Sequence, residues 1–474
     1  MNSSTRHATI RDRLPDGDGH RRTSLRSQIA AILLSLCLLV DASKAPGAPA
    51  TAGVRVGAAA AEFEADDGMV IGGSILAGKA AGQEGKLRAV AVVLDKAGSS
   101  KLAIVACDIL MITRDFLDAA AAEIEKTTGI PAAHVLINCT HTHHAPSTVR
   151  VHGYDRDEKF CREVQRKIVK AVQDANANLS TEECSFLFHA GREETVGMNS
   201  RLMLGDGTIL WIGDRGDAVR PTGPFDPELP VLAFRDNADK VRALIFNHST
   251  HTIGTVQPGK RSPGFYGLAA QELEAQLGGI VSFIEGASGS THNLALRPPD
   301  AKDRIRNAVS DALAKAQPRS VEKLAAIKRP FSFRVRKFDE AAEDAAVASY
   351  CQKRAATRAD STIEVFRKMR KELAPQQGET RTTWLQVMRI GDVAIVGVPA
   401  EFFTKLGLDI KNRSPFRQTY IAELANDWIG YVPDADAFKL GGYQVWTGFH
   451  SYVEPGTGER IVDEAVAMLR ELAK

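Results

Sequence analysis

Val135-Leu136-Ile137-Asn138-Cys139-Thr140-His141-Thr142-His143-His144 joins an apolar, strand-forming run to three histidines within four residues. Side chains alternate faces along a strand, so extended backbone carried past Cys139 would put His141 and His143 on one side. Two imidazoles side by side at a strand end suit a transition metal. The competing reading is a solvated polar loop after a buried strand. A second cluster, His248 and His251, follows another apolar run, Ala243-Leu244-Ile245-Phe246. The chain has 12 histidines in 474 residues, and five of them fall in these two clusters, which favours the metal.

The surrounding pattern alternates strands and helices. Residues 87–95 and 102–107 read as a buried hairpin turning at 96–99, and 115–127 as a helix stopped by Gly129-Ile130-Pro131. Short strands are expected at 54–57 and 70–76, a helix at 157–175, and hairpins at 202–211, 232–246 and 384–398. Further helices are expected at 263–277, 303–316 and 459–474. The charged run 341–373 reads as a solvated amphipathic helix or hairpin. This order predicts an α/β protein, mixed β-sheets packed with helices, in a single large domain over 53–474. A strand at 280–284 empties into the small-residue loop Gly286-Ala287-Ser288-Gly289-Ser290-Thr291, a common place for active-site backbone.

Hydrophobic content of 44% and charged content of 25% are ordinary for a globular chain. A net charge of +2, with no basic stripe, argues against nucleic acid as a partner and leaves soluble substrates or a membrane surface. Residues 1–28 are polar and basic, 29–40 apolar, and 45–53 rich in Pro, Ala and Gly. Twelve apolar residues are short for a bilayer and suit a secretory signal. Residues 1–50 are therefore expected to be a signal peptide and linker, making the protein exported, periplasmic or extracellular. Arg21-Arg22 loosely resembles a twin-arginine signal, which ranks below ordinary secretion, and an uncleaved anchor is the alternative. Beyond Cys37 in the signal, five cysteines without a C-x-x-C do not indicate a disulfide framework. Cys107 and Cys139 read as core residues.

Three strand ends each supply a candidate ligand: His141, His251 and Glu401. Two imidazoles and a carboxylate around a divalent ion, with one position open, make a hydrolytic zinc centre. One of His141 and His143 would bind metal while the other contacts substrate or moves a proton. The residues leave open which of His248 and His251 is a ligand. Asp108 is a possible extra ligand of the kind a two-metal phosphoesterase would need.

These motifs resemble the neutral/alkaline (non-lysosomal) ceramidases and their bacterial relatives over roughly residues 53–450. Thr140-His141-Thr142-His143 is similar to the A-T-H-T-H-S signature, and Asn247-His248-Ser249-Thr250-His251-Thr252 to the segment with the second zinc histidine. Val396-Gly397-Val398-Pro399-Ala400-Glu401-Phe402-Phe403-Thr404 resembles V-P-G-E-x-x-T, and Tyr431 and Tyr443 resemble the paired tyrosines. The resemblance implies Zn2+ on His141, His251, Glu401 and Tyr431, with His143 and Tyr443 facing the scissile group and Tyr443 donating to the oxyanion. Asn199-Ser200-Arg201 resembles the element that supplies a substrate arginine, so Arg201 is carried over, a surface hairpin charge being the alternative. The implied activity is hydrolysis of a carboxamide, the N-acyl bond of a ceramide-like lipid first among them, with transient contact at a membrane surface.

Two departures stand out. His292 occupies the place of the family's nucleophilic serine, which favours direct attack by water. The chain also ends at Lys474, soon after Tyr443, so no C-terminal immunoglobulin-like domain is expected. The rival expectations are a zinc hydrolase of another ester or phosphoester, and a non-catalytic relative whose metal is closed off by a fourth ligand such as His292.

Overall fold

The computed structural model describes residues 52–474; the expected signal and linker at 1–50 lie outside the described residues. Three sheets form the framework. The first pairs Arg55–Glu62, Arg88–Asp95, Lys101–Cys107 and Val135–Cys139 in that order. The second runs Ile280–Glu285, Val241–His248, Glu228–Arg235, Ser185–Arg192 and Gln317–Arg319. The third runs Leu324–Arg334, Thr380–Ile390, Val393–Gly397 and Gln418–Ala422.

Each sheet turns one face to a shared core and covers the other with helices. Val92, Leu94, Leu102 and Ile104 of the first sheet meet Phe234, Ala243 and Ile245 of the second and Ile390, Val393 and Ile395 of the third. The alternate residues Ala91, Val93, Ala103 and Val105 pack instead under the helices Arg114–Thr128 and Glu158–Ala177. Burial on both faces explains why these strands read as continuous apolar runs rather than alternating ones. The second sheet is roofed by Gly264–Leu277 and Pro298–Lys315. The third is roofed by Glu340–Arg354, Ala359–Leu373, Thr404–Arg413 and Thr457–Leu472. Among the described residues, no helix is long and apolar enough to cross a membrane.

The expected α/β class, the hairpin at 96–99 and the helix stopped at Gly129 are present, with Gly129 left-handed at φ 72°. The 341–373 run is a helical hairpin, broken at 356–358 and half buried rather than solvated. Arg370 joins its arms, binding Glu340 and Asp344 at 2.8–3.0 Å. Two expectations fail. Residues 70–76 are turns with one bridge, Ile71 to Pro146, because the glycines at 72 and 73 break the run. In the 202–211 segment, Leu202–Leu204 pairs mainly with Ala218–Pro221, and the second arm keeps only a bridge from Ile209 to Met203.

All three sheets deliver strand C-termini to one place. Val135–Cys139, Val241–His248 and Val393–Gly397 each lie in a parallel pair, and each empties towards the same crevice, the usual ligand position in open α/β sheets. Asn138 fastens the junction. Its side chain accepts from the Glu285 amide at 3.1 Å and donates to the Glu423 carbonyl, so one amide spans three sheets. Asn247 joins the second sheet to the third, donating to the Ile284 and Ile421 carbonyls at 2.8 and 2.9 Å. Such amides satisfy backbone groups where the ladders stop.

Candidate metal centre

His141, His143 and His251 bring nitrogens within 4.8 Å of one another. The first two do not meet by strand alternation, because the strand ends at Cys139 and His141 is left-handed at φ 57°. That turn brings His143 Nε2 to 3.3 Å from His141 Nε2. The bridge between Thr142 and Thr252 aligns this loop with the His251 segment. Glu401 and Tyr431 face each other across the short parallel pair Glu401–Phe402 and Tyr431–Val432. Glu401 Oε2 lies 3.6 Å from His141 Nε2 and 3.4 Å from His251 Nε2, and the Tyr431 hydroxyl lies 3.2 Å from His251 Nε2.

The donor set fits a divalent cation. His141 Nδ1 is 3.0 Å from the Leu110 carbonyl, and His251 Nδ1 is 2.9 Å from the Ser288 carbonyl. A carbonyl only accepts, so both rings carry their proton outwards and leave Nε2 bare towards the centre. Burial lowers the basicity of His141 to about 3 and of His251 to about 4, which keeps both lone pairs free. Burial also pushes the Glu401 carboxyl up, against the lowering effect of His141 and of hydrogen bonds from Tyr431 and Trp428. Trp428 Nε1 donates to its other oxygen at 3.2 Å.

Behind the ligands stands Glu423. Its carboxylate accepts from the Ser288 amide at 2.9 Å, the Ser288 hydroxyl at 2.6 Å and the Phe402 amide at 2.8 Å. One side chain thus braces both the carbonyl that orients His251 and the residue after Glu401. Glu285 lies against it with both side-chain oxygens buried and unpartnered among the described residues. Burial and the neighbouring Glu423 push the Glu285 carboxyl well above the usual carboxylate range.

The remaining candidates separate cleanly. His248 is spent, with Nδ1 2.5 Å from the Tyr266 hydroxyl and Nε2 3.0 Å from the Glu193 carbonyl, leaving His251 as the candidate ligand of the pair. Asp108 accepts from the Arg88 amide at 3.1 Å and Thr140 Oγ1 at 3.3 Å, apart from the histidine group. His292 lies beside His251 with ring centroids 4.4 Å apart and the planes tilted at 57°, but is not one of the three converging histidines. Arg201 is neither a surface charge nor aimed at the histidines. It is buried, and donates to Gln444 Oε1 at 2.9 Å and the Gly441 carbonyl at 2.6 Å, fixing the loop that carries Tyr443. Tyr443 stands near Tyr431, ring centroids 5.8 Å apart, and its hydroxyl meets His152 Nε2 at 2.9 Å. His152, His450 and Glu423 are absent from the sequence-based set, and Ser288 enters it only as part of the small-residue loop. No motif marks the first three, and only a third dimension places them here.

The architecture is a ceramidase fold. Neutral ceramidase from Pseudomonas aeruginosa matches with a TM-score of 0.69 and 19% identity over 89% of this chain and 74% of that one. A structure titled as ceramidase complexed with C2 matches with a TM-score of 0.69 and 17% identity over 89% of this chain and 75% of that one. Comparison of the sequence with family models and with characterised proteins gives no match.

Proposed function

We propose that the protein is an exported, zinc-dependent amidohydrolase that cleaves a carboxamide, with the N-acyl bond of a ceramide-like lipid, met at a membrane surface, as the leading substrate. The observation that carries this reading is the inward convergence of bare Nε2 atoms, a carboxylate and a phenol, each braced from outside. His141, His251, Glu401 and Tyr431 would hold the ion, and nitrogen and oxygen donors of this kind suit zinc. When bound, such an ion polarises a carbonyl and acidifies a water.

The chain supplies the rest. His143 is only half buried and adjoins the cage, placed to move a proton between attacking water and departing nitrogen. Gly73 lets it pack there, since a Cβ at that residue would lie 2.4 Å from His143 Nδ1. The hydroxyls of the serine loop are committed elsewhere. Ser288 donates to Glu423, Ser290 accepts from the Thr404 amide at 3.2 Å, and Thr291 donates to the Ser249 carbonyl at 2.7 Å. Attack by water, without an acyl-enzyme, accords with that arrangement. Asp108, which accepts from the Arg88 amide and Thr140 and is not among the grouped histidines, weighs against a two-metal phosphoesterase.

The test pairs metal analysis of the purified chain with hydrolysis of a fluorescent N-acyl sphingoid and a phosphoester panel. Chelation should abolish amide hydrolysis, and zinc should restore it. Unchanged hydrolysis in His141→Ala would overturn the proposal.

A further inference from the structure

His152 lies in none of the recognised motifs, yet it is the residue that touches the Tyr443 hydroxyl. It is 2% exposed, with Nδ1 3.1 Å from the Ser74 carbonyl and Nε2 2.9 Å from Tyr443 Oη. The Ser74 carbonyl can only accept, so Nδ1 carries the ring proton. Burial lowers the basicity of the ring to about 4, so it is neutral near pH 7 and Nε2 is a bare lone pair. Tyr443 therefore donates to His152. A phenol has one hydrogen, and this one is used.

The phenol ring is held in place. Its ring is stacked on Trp211 at 4.6 Å and 2°, and on His450 at 4.6 Å and 17°. His450 Nε2 is 3.0 Å from the Tyr443 carbonyl, fixing the backbone as well. Arg201 holds the flanking loop through Gly441 and Gln444. What the phenol has left is oxygen lone pairs, beside Tyr431 of the cage.

We propose that His152 sets Tyr443 as a hydrogen-bond acceptor, and that the pair selects secondary carboxamides by accepting the substrate N–H. This deepens, and rests on, the amidohydrolase reading, and it reverses the expectation that Tyr443 donates to an oxyanion. An ester presents an oxygen lone pair where the acceptor stands, and an N-methyl amide presents a methyl group. Both are disfavoured by an unpaired buried acceptor, the kind of mismatch that binding sites reject strongly. Tyr443 touches substrate in this scheme, and His152 is a positioning residue acting through it.

Two measurements on the full chain test this. The first is 15N NMR of the imidazoles, with the His152 signals assigned by their loss in His152→Phe. A pyridine-type Nε2 and a protonated Nδ1 are expected; a protonated Nε2 overturns the proposal whether or not the protein hydrolyses anything. The second is the ratio of kcat/KM for a secondary amide to that for its matched N-methyl amide and ester. His152→Phe should lower that ratio at least tenfold with metal content unchanged. Tyr443→Phe should lower it as far, and the double variant no further. A ratio unaltered in a folded, metal-loaded His152→Phe overturns the inference and leaves the amidohydrolase reading standing. A wild-type chain that hydrolyses no amide while Nε2 is bare removes that reading, and with it the selectivity, but leaves the acceptor assignment.

Discussion

His251 and His248 are three residues apart, each beside a buried tyrosine, and they are wired in opposite senses. At His251 the backbone carbonyl takes Nδ1, and Nε2 is left facing Tyr431 and Glu401. At His248 the carbonyl takes Nε2 and the Tyr266 hydroxyl takes Nδ1, so both nitrogens are satisfied. Tyr266 is itself stacked on Phe283 at 3.8 Å in the apolar core of the second sheet. The same two residue types make an open donor site in one region and a closed structural joint in the other. What decides is which ring nitrogen the nearest carbonyl occupies.

The sharpest way to break this contrast is to delete each imidazole. His251→Ala should lose stoichiometric metal and lower amide hydrolysis by roughly a thousandfold or more, while circular dichroism remains native. His248→Ala should keep its metal but lose about 2–3 kcal/mol in denaturant unfolding, because buried partners are left unsatisfied. Metal loss in His248→Ala would end the distinction.

A subtler change tests the bracing. Glu423→Ala removes the oxygen that accepts from the Ser288 and Phe402 amides. Metal affinity, read by competition with a chromophoric chelator, should fall by about 10–100-fold. An unaltered affinity would mean that the ligands hold their places unaided.

The smallest effect concerns acid. Burial brings His144 and His152, neither a ligand, down to about 4, against about 6.5 in an unfolded chain. A lowered histidine value means the unfolded chain binds the extra proton. The stability is therefore fully present above pH 6.5 and is lost as pH falls towards 4. At pH 5 each of the two should cost about 2 kcal/mol relative to neutral pH. A urea midpoint independent of pH from 7.5 to 5 would contradict the neutral, buried state of both rings.

Much of the framework was legible because its strands carry their burial in composition. Runs such as 87–95 are apolar throughout because both faces are covered, and the stop at Gly129 is local chemistry. The ligands were legible for a similar reason: histidines gather at strand ends, and strand ends of parallel pairs converge. The partition of the histidines into ligand and joint was not, since it depends on carbonyls from Leu110, Ser288 and Glu193 that lie 31, 37 and 55 residues away in sequence. Arg201 shows the same limit. Its motif marks an arginine as present, while its partners come from a loop about 240 residues downstream. The helical hairpin at 341–373 was misjudged as solvated because Arg370, a charged residue, is fully buried through Glu340 and Asp344.

The left-handed turn at His141 carries a tension of its own. Histidine enters that conformation less readily than asparagine or glycine, at a cost of about 1–2 kcal/mol, and here it does so with no exposure to water. Selection for robustness alone would drift this position towards the residues that turn more easily. A protein that keeps an imidazole there is holding a small reserve of instability in trust for the metal site proposed here, and the depth of that reserve bounds how far the surrounding loop can vary.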